Sequence, residues 1–266
     1  MRKIPSNALT VDLNCDFGEG YSLYRFGQED ELLAVVTSVN IACGFHAGDP
    51  HTMRETAAKA AAAGAAIGAH PGLPDRLGFG RRAMAVTPQE VYDFTLYQLG
   101  ALQAIVKAEG GRLRHVKPHG ALYHMAGADE AIAEAVVKAS LAIDAQLMMY
   151  GQSGSLLLDA ASRLGMAAVS EVFADRAYEA DGSLAPRSKP GATLTDPEQA
   201  AKQAVSLAAD GFAYTAGGGR AAVQADTICL HGDGPHAAVF ARHIKLALEA
   251  EGILLAPPQF LQSKGE

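Results

Sequence analysis

Basic clusters are missing from this sequence, as are long apolar runs, cysteine scaffolds and the standard nucleotide-binding loops. The chain has 22 Lys and Arg against 29 Asp and Glu, a net charge of −7. Its longest basic run is the pair Arg81-Arg82, which offers no track for a phosphate backbone, so nucleic acid is not an expected partner. No stretch is long and apolar enough to span a bilayer, and the alanine-rich run at 57–69 is hydrophobic only by count, so no membrane partner is expected either. The opening residues MRKIPSNALT carry two basic side chains without an apolar segment behind them. Cys15, Cys43 and Cys229 are odd in number, lack scaffold spacing and fall in or beside predicted strands, which is the pattern of reduced thiols. A cytoplasmic protein is the expectation. No G-x-x-x-x-G-K-[ST] loop occurs, and GQSG at Gly151–Gly154 is not a nucleophile elbow. Any ATP is therefore handled without a standard motif.

What is present is an alternation of strand and helix patterns over 266 residues, a length that one α/β barrel domain fills. The first predicted strand starts at Val11, includes Asp16 and runs into a glycine-rich turn; the others run over 35–42, 65–69, 114–118, 146–150, 167–172 and 226–230. Asp49-Pro50 starts a helix that Gly64 ends, because an N-cap acceptor precedes a residue whose fixed φ suits the first helical position. Thr87, Pro88 and Glu90 make a capping box for a helix reaching about Glu109. Further helices are expected over 29–34, 129–140 and 153–164, from Asp196-Pro197, and from Gly234-Pro235 to Gly252. Two long connections, 72–86 and 173–194, break the rhythm and are expected to be binding loops or lids. Gly217–Gly219 looks like a flexible turn without a role.

The stretch VDLNCDFGEGY, Val11–Tyr21, combines strand and site. Asp12, Asn14 and Asp16 share one face of the strand and Val11, Leu13 and Cys15 the other. With Glu19 close behind and Gly18 and Gly20 beside it, the polar face suits a cavity wall better than an ordinary edge strand. The pattern recurs at the C-terminal ends of other strands: His46 and Asp49, then His70, then Lys117 and His119, then Glu171 and Arg176, and finally His231 and Asp233. Those ends converge on one mouth in a (β/α) barrel but spread along an edge in an open sheet, so the barrel is favoured. Lys117, inside a strand and facing a cavity, must be paired or hold an anion. His51, His115, His124, His236 and His243 read as structural or surface residues.

The segments DLNCDFGEG, NIACGFHAGDP, IGAHPGLPDRLGFGRR, VKPHGALYH, EVFADRAYEADGSLAPRS and ICLHGDGPHA together resemble the LamB/YcsF family, in order and over almost the whole chain. The resemblance implies a distorted seven-stranded (β/α) barrel of the glycoside hydrolase/deacetylase type. It also implies the A-subunit role in an ATP-dependent 5-oxoprolinase, which with B and C subunits cleaves 5-oxoproline to L-glutamate while ATP, accompanied by Mg2+, goes to ADP and phosphate.

That chemistry makes sense of the residue types. A five-membered lactam is a stabilised amide, and phosphorylating its oxygen would create a leaving group before water attacks. Such a site needs cations for carboxylate and phosphoryl oxygens, a base for water and an acid for the departing nitrogen. Lys117 and Arg176 are candidates for the first, Asp16 or Glu19 for the second, and His46, His70, His119 or His231 for the third. Asp12, Asn14, Asp49, Glu171 and Asp233 are candidate substrate contacts. Two other readings stay open: a metal-dependent deacylase using Asp16, His46 and His70 as ligands, and a non-catalytic lactam-binding subunit. His46 and His51, five residues apart, do not have the spacing of a metal pair on one helix face.

Overall fold

The computed structural model describes residues 9–22, 24, 28–186, 188–230 and 237–259. Seven parallel strands close into a barrel: β1 (Thr10–Phe17), β2 (Ser38–Ala42), β3 (Ala66–His70), β4 (Leu113–Val116), β5 (Met148–Gln152), β6 (Ala167–Phe173) and, after a small hairpin, β9 (Thr227–Leu230). Closure is through β1 and β9, with Asp12 opposite Thr227 and Asn14 opposite Cys229. The β-hairpin is β7 (Phe212–Tyr214) with β8 (Arg220–Ala222), and a short β10 (Leu254–Leu255) extends the sheet beside the start of β1.

Strand alternation sorts the side chains into two environments. Val11, Leu13, Cys15 and Phe17 face outward with Val39, Ile41, Val116, Met149 and Ile228, where the surrounding helices cover them in one apolar core. The inner face is polar. At its lower end the Asp12 carboxylate accepts hydrogen bonds from the hydroxyls of Thr37 (2.5 Å), Ser38 (2.7 Å), Thr227 (2.7 Å) and Tyr150 (3.1 Å). Burial raises its pKa while those hydroxyls oppose the rise. One layer up, the Asn14 amide donates to Glu171 (3.0 Å) and Thr227 (2.8 Å) and accepts from Asn40 (2.8 Å). His115, stacked on Tyr150 with ring centroids 4.0 Å apart, bonds Asn40 through Nε2 at 2.8 Å. Burial pushes its pKa down to about 3, so it is a neutral structural histidine. Most of the polar groups in the barrel interior are thus bonded to one another in layers below its top.

The helices follow their caps. In α2 (Pro50–Ala63) the Asp49 carboxylate accepts from the amides of His51 and Thr52, and Gly64 leaves in the left-handed region at φ +73°. In α3 (Pro88–Ala108) both halves of the Thr87–Glu90 capping box are formed. α1 (Glu29–Leu33), α5 (Glu130–Ile143), α6 (Leu156–Arg163), α7 (Pro197–Val205) and α8 (Ala237–Ala250) complete the expected set. The unexpected helix is α4 (Gly120–Ala128), directly after β4. Its sequence, GALYHMAGA, has a poor intrinsic helix propensity because of its glycines, and burial of Ala121, Leu122, Tyr123 and Ala126 overrides that. Gly217–Gly219 turns the β7–β8 hairpin, and a single wide helical turn over Ser206–Asp210 leads into it. Among the described residues no helix is long and apolar enough to cross a membrane.

Candidate functional site

The C-terminal ends of the strands surround a cavity of about 190 Å³. Five expected site residues line it: Asp16 at the end of β1, His70 at the end of β3, Lys117 and His119 just after β4, and Arg176 after β6. Both long connections contribute to the wall, the first through Arg81 and the second through Arg176 and Leu184.

Lys117 is the pivot. Its Nζ lies 2.9 Å from Glu171 Oε1 and 3.1 Å from Asp16 Oδ1, donates to Asn14 Oδ1 at 3.3 Å and sits 3.0 Å from Cys229 Sγ. Burial opposes its charge, but Asp16, Cys229 and Glu171 outweigh that and hold its pKa well above the ordinary lysine value. Asp16 is the converse case. Burial would raise its pKa, yet His70 and Lys117 bring it well below the usual carboxylate range, so it stays ionised. Asn40 Nδ2 adds a hydrogen bond to Asp16 Oδ1 at 2.9 Å.

Beside this pair the histidines converge. His70 Nδ1 lies 2.7 Å from the Lys117 carbonyl and His119 Nε2 2.7 Å from the Phe79 carbonyl, while His70 Nε2 and His119 Nδ1 face each other at 2.9 Å. The His46 ring stacks on His119 with centroids 3.7 Å apart and planes 4° from parallel. Glu19 Oε1 reaches 3.5 Å from His46 Nε2 and 3.4 Å from His119 Nδ1. Burial and the neighbouring histidine charges press His46 well below its ordinary pKa and bring His119 to about 3. Glu19, His46, His70 and His119 offer one ligand atom each, all within 4.8 Å of one another. This group contains His46 and His70 of the three metal candidates, with Asp16 Oδ2 next to it, 3.3 Å from His70 Nε2.

Other expected contacts sit elsewhere. Asp12 is at the closed lower end of the barrel, fully buried under its four hydroxyl donors. Asn14 and Glu171 are not among the residues lining the cavity and bond the Lys117 ammonium. Both Asp49 oxygens are taken up by backbone and hydroxyl donors of Ser22, His51 and Thr52. Arg176 faces the cavity while its guanidinium donates to the carbonyls of Ala192 (3.2 Å) and Ala185 (2.7 Å), tying down the second loop. His231 and Asp233 lie outside the described residues, as do His236 and the start of the last predicted helix.

Sequence reading missed Arg81, Tyr123, His124 and Phe173 in the wall. Tyr123 and His124 came with the unforeseen α4. Arg81 stood in plain view in the first long loop, and the available signal was its place beside two glycines. Gly80 is held at φ +64°, and a Cβ there would lie 2.7 Å from His46 Cβ and 2.9 Å from His119 Cδ2. Gly80→Ala is therefore expected to destabilise the protein by about 1–3 kcal/mol and to disturb the imidazole signals of both histidines in NMR spectra. An unchanged unfolding midpoint with unchanged spectra would show that the loop absorbs the methyl group.

Residues 11–263 match the LamB/YcsF family model. A Bordetella pertussis protein bearing the name of the A subunit of 5-oxoprolinase is 55% identical over 245 residues, covering 92% of this chain and 97% of its own. Its namesake in Geobacillus kaustophilus is 56% identical over 250 residues, covering 94% and 97%. The crystal structure of a lactam utilization protein from Thermus thermophilus superposes with a TM-score of 0.90 at 46% identity, over 94% of this chain and all of that one. With a family match spanning nearly its whole length, the chain belongs to the LamB/YcsF family.

Proposed function

We propose that this protein binds 5-oxoproline in the barrel-mouth cavity and opens its lactam ring as the A subunit of an ATP-dependent 5-oxoprolinase. The single observation that carries the reading is the pairing, in one small cavity, of cations with an ionised carboxylate: Arg81 and Lys117 opposite Asp16. A lactam with a carboxylate substituent needs that set. Arg81 holds its carboxylate, and Lys117, itself paired with Asp16 and Glu171, adds positive potential at the oxygen on which charge develops. Asp16 takes a proton from the attacking water as the water oxygen adds to the ring carbonyl carbon. The carbon–nitrogen bond then breaks, and the proton that Asp16 took from water passes to the departing nitrogen, which becomes the amine of glutamate. The names of the 46–56% identical relatives, which refer to 5-oxoprolinase and lactam utilization, support the same substrate class.

ATP, with its Mg2+, is the co-substrate of this proposal; its nucleotide stays outside the cavity, and only the γ-phosphoryl group enters, passing to the lactam oxygen and leaving as phosphate when the ring carbon becomes the glutamate carboxylate. At about 190 Å³ the cavity is smaller than the roughly 300–1,000 Å³ typical of sites for larger ligands, so it suits one small ring rather than a ring and a nucleotide together. The sequence also lacks a phosphate-binding loop. Nucleotide binding then falls to the B and C subunits or to the surface they complete. The purified chain alone is expected to bind 5-oxoproline in a titration calorimeter but to form little glutamate from 5-oxoproline and ATP, with turnover appearing when B and C are added. Robust ATP-coupled turnover by the isolated chain would overturn the division of labour. Absence of both lactam binding and reconstituted turnover would overturn the function.

A further inference from the structure

The hydrogen-bond directions around the histidines contain a conflict that a cation resolves. A backbone carbonyl only accepts, so the His70 nitrogen beside the Lys117 carbonyl and the His119 nitrogen beside the Phe79 carbonyl must both carry the proton of their rings. The opposite nitrogens, His70 Nε2 and His119 Nδ1, are then both bare lone pairs, and they face each other across 2.9 Å. Two further acceptors close on the same point: Glu19 Oε1, 3.4 Å from His119 Nδ1, and Asp16 Oδ2, 3.3 Å from His70 Nε2. Among the described residues neither ring nitrogen of His46 has a hydrogen-bond partner, although the residue is only 1% exposed. Buried polar atoms are rarely left in that state. One extra proton between His70 and His119 would settle that pair and leave His46 as it is. A metal ion settles the facing pair, takes up Glu19 Oε1 and gives one of the two His46 nitrogens a partner.

We propose that Glu19, His46, His70 and His119 bind one divalent first-row transition-metal ion. Their ligand atoms lie within 4.8 Å of one another. Around a tetrahedral ion with bonds near 2.1 Å, ligand atoms lie about 3.4 Å apart, so the widest pair closes by up to roughly 1.4 Å. Three imidazoles and a carboxylate favour zinc or a neighbour of similar hardness over magnesium or calcium, which take oxygen shells. The carbonyls of Lys117 and Phe79 supply the outer contacts that fix ring orientation and tautomer in metal sites. Because His70 and His119 also line the cavity, a carbonyl or carboxylate oxygen of a bound molecule would meet the ion from their side. Ligation also replaces the expected proton-donor role of these three histidines, and it requires the His46 ring, now parallel to that of His119 with centroids 3.7 Å apart, to turn so that one nitrogen faces the ion. The site stands on donor geometry and requires no particular substrate.

The test uses the full chain, stripped with a chelator and titrated with Zn2+. One equivalent is expected to bind with micromolar or tighter affinity. His46→Ala and His119→Ala are each expected to weaken binding at least tenfold, while His51→Ala, at an exposed position, leaves it unchanged. No saturable binding up to millimolar Zn2+, or equal binding by wild type and both site variants, would overturn the proposal. Should the variants fail to fold, Co2+ added to the wild-type chain decides. Intense visible bands from nitrogen and oxygen ligation are expected, and the weak spectrum of hydrated Co2+ would overturn the site.

Discussion

Lys117→Met is expected to lower stability by about 3–5 kcal/mol, a fall in melting temperature of roughly 6–20 °C for a chain of this size. Methionine matches the length of the lysine stem, so the loss is electrostatic rather than a matter of volume. The ammonium sits between Glu171 at 2.9 Å and Asp16 at 3.1 Å, and its removal leaves two carboxylates with very little solvent to replace it. Asn14 also loses a donor to its side-chain oxygen. The Glu171→Gln change in the same background should restore much of the loss, because it removes one of the stranded charges while keeping an oxygen for Asn14. Thermal and urea unfolding of the single and double variants check this. A single variant melting within a degree or two of wild type would show that the carboxylates find another partner. A double variant no better than the single would show that Glu171 is not the stranded charge.

The barrel was legible because its signals are local and repeated. Asp49-Pro50 and Thr87–Glu90 mark helix starts through chemistry that needs no tertiary context, and both caps form as expected. Polar residues at the strand ends pointed to one mouth, and Asp16, His70, Lys117, His119 and Arg176 do meet there. Depth was not legible. Period-two alternation tells that Asp12, Asn14 and Asp16 share a face, but not that the lower two are spent on Thr37, Ser38, Tyr150, Asn40 and Glu171. Those partners are up to 157 residues away in sequence. Asp49 caps α2, and a carboxylate that caps a helix and one that binds a ligand look alike in sequence. Helix α4 was missed because its glycines argue against a helix and only the burial of Leu122 and Tyr123 argues for one. Glu19, His46, His70 and His119 meet because they lie at or just after the ends of the neighbouring strands β1 to β4, and no spacing rule connects positions that far apart in sequence.

Asp16→Asn is expected to fold with a melting temperature within a few degrees of wild type and to lose roughly 10²–10⁴-fold of lactam-opening turnover in the reconstituted complex. The amide fits the carboxylate's place almost atom for atom. Its oxygen can still accept from Lys117 at 3.1 Å and from Asn40 at 2.9 Å, and its nitrogen takes the place of Oδ2 beside the His70 ring. Lys117 keeps Glu171 as its counter-charge, so the substitution leaves no ion stranded in the barrel. What disappears is the ionised oxygen facing the cavity. Only a group that holds a charge beside the reacting water or carbonyl would make that loss large while stability hardly moves. The comparison with Lys117→Met sharpens the test, because that variant should lose stability and turnover together, whereas Asp16→Asn should separate them. The readouts are a melting curve of the isolated chain and glutamate formation with the partner subunits. Wild-type turnover in a folded Asp16→Asn variant would reduce Asp16 to a buried partner of Lys117.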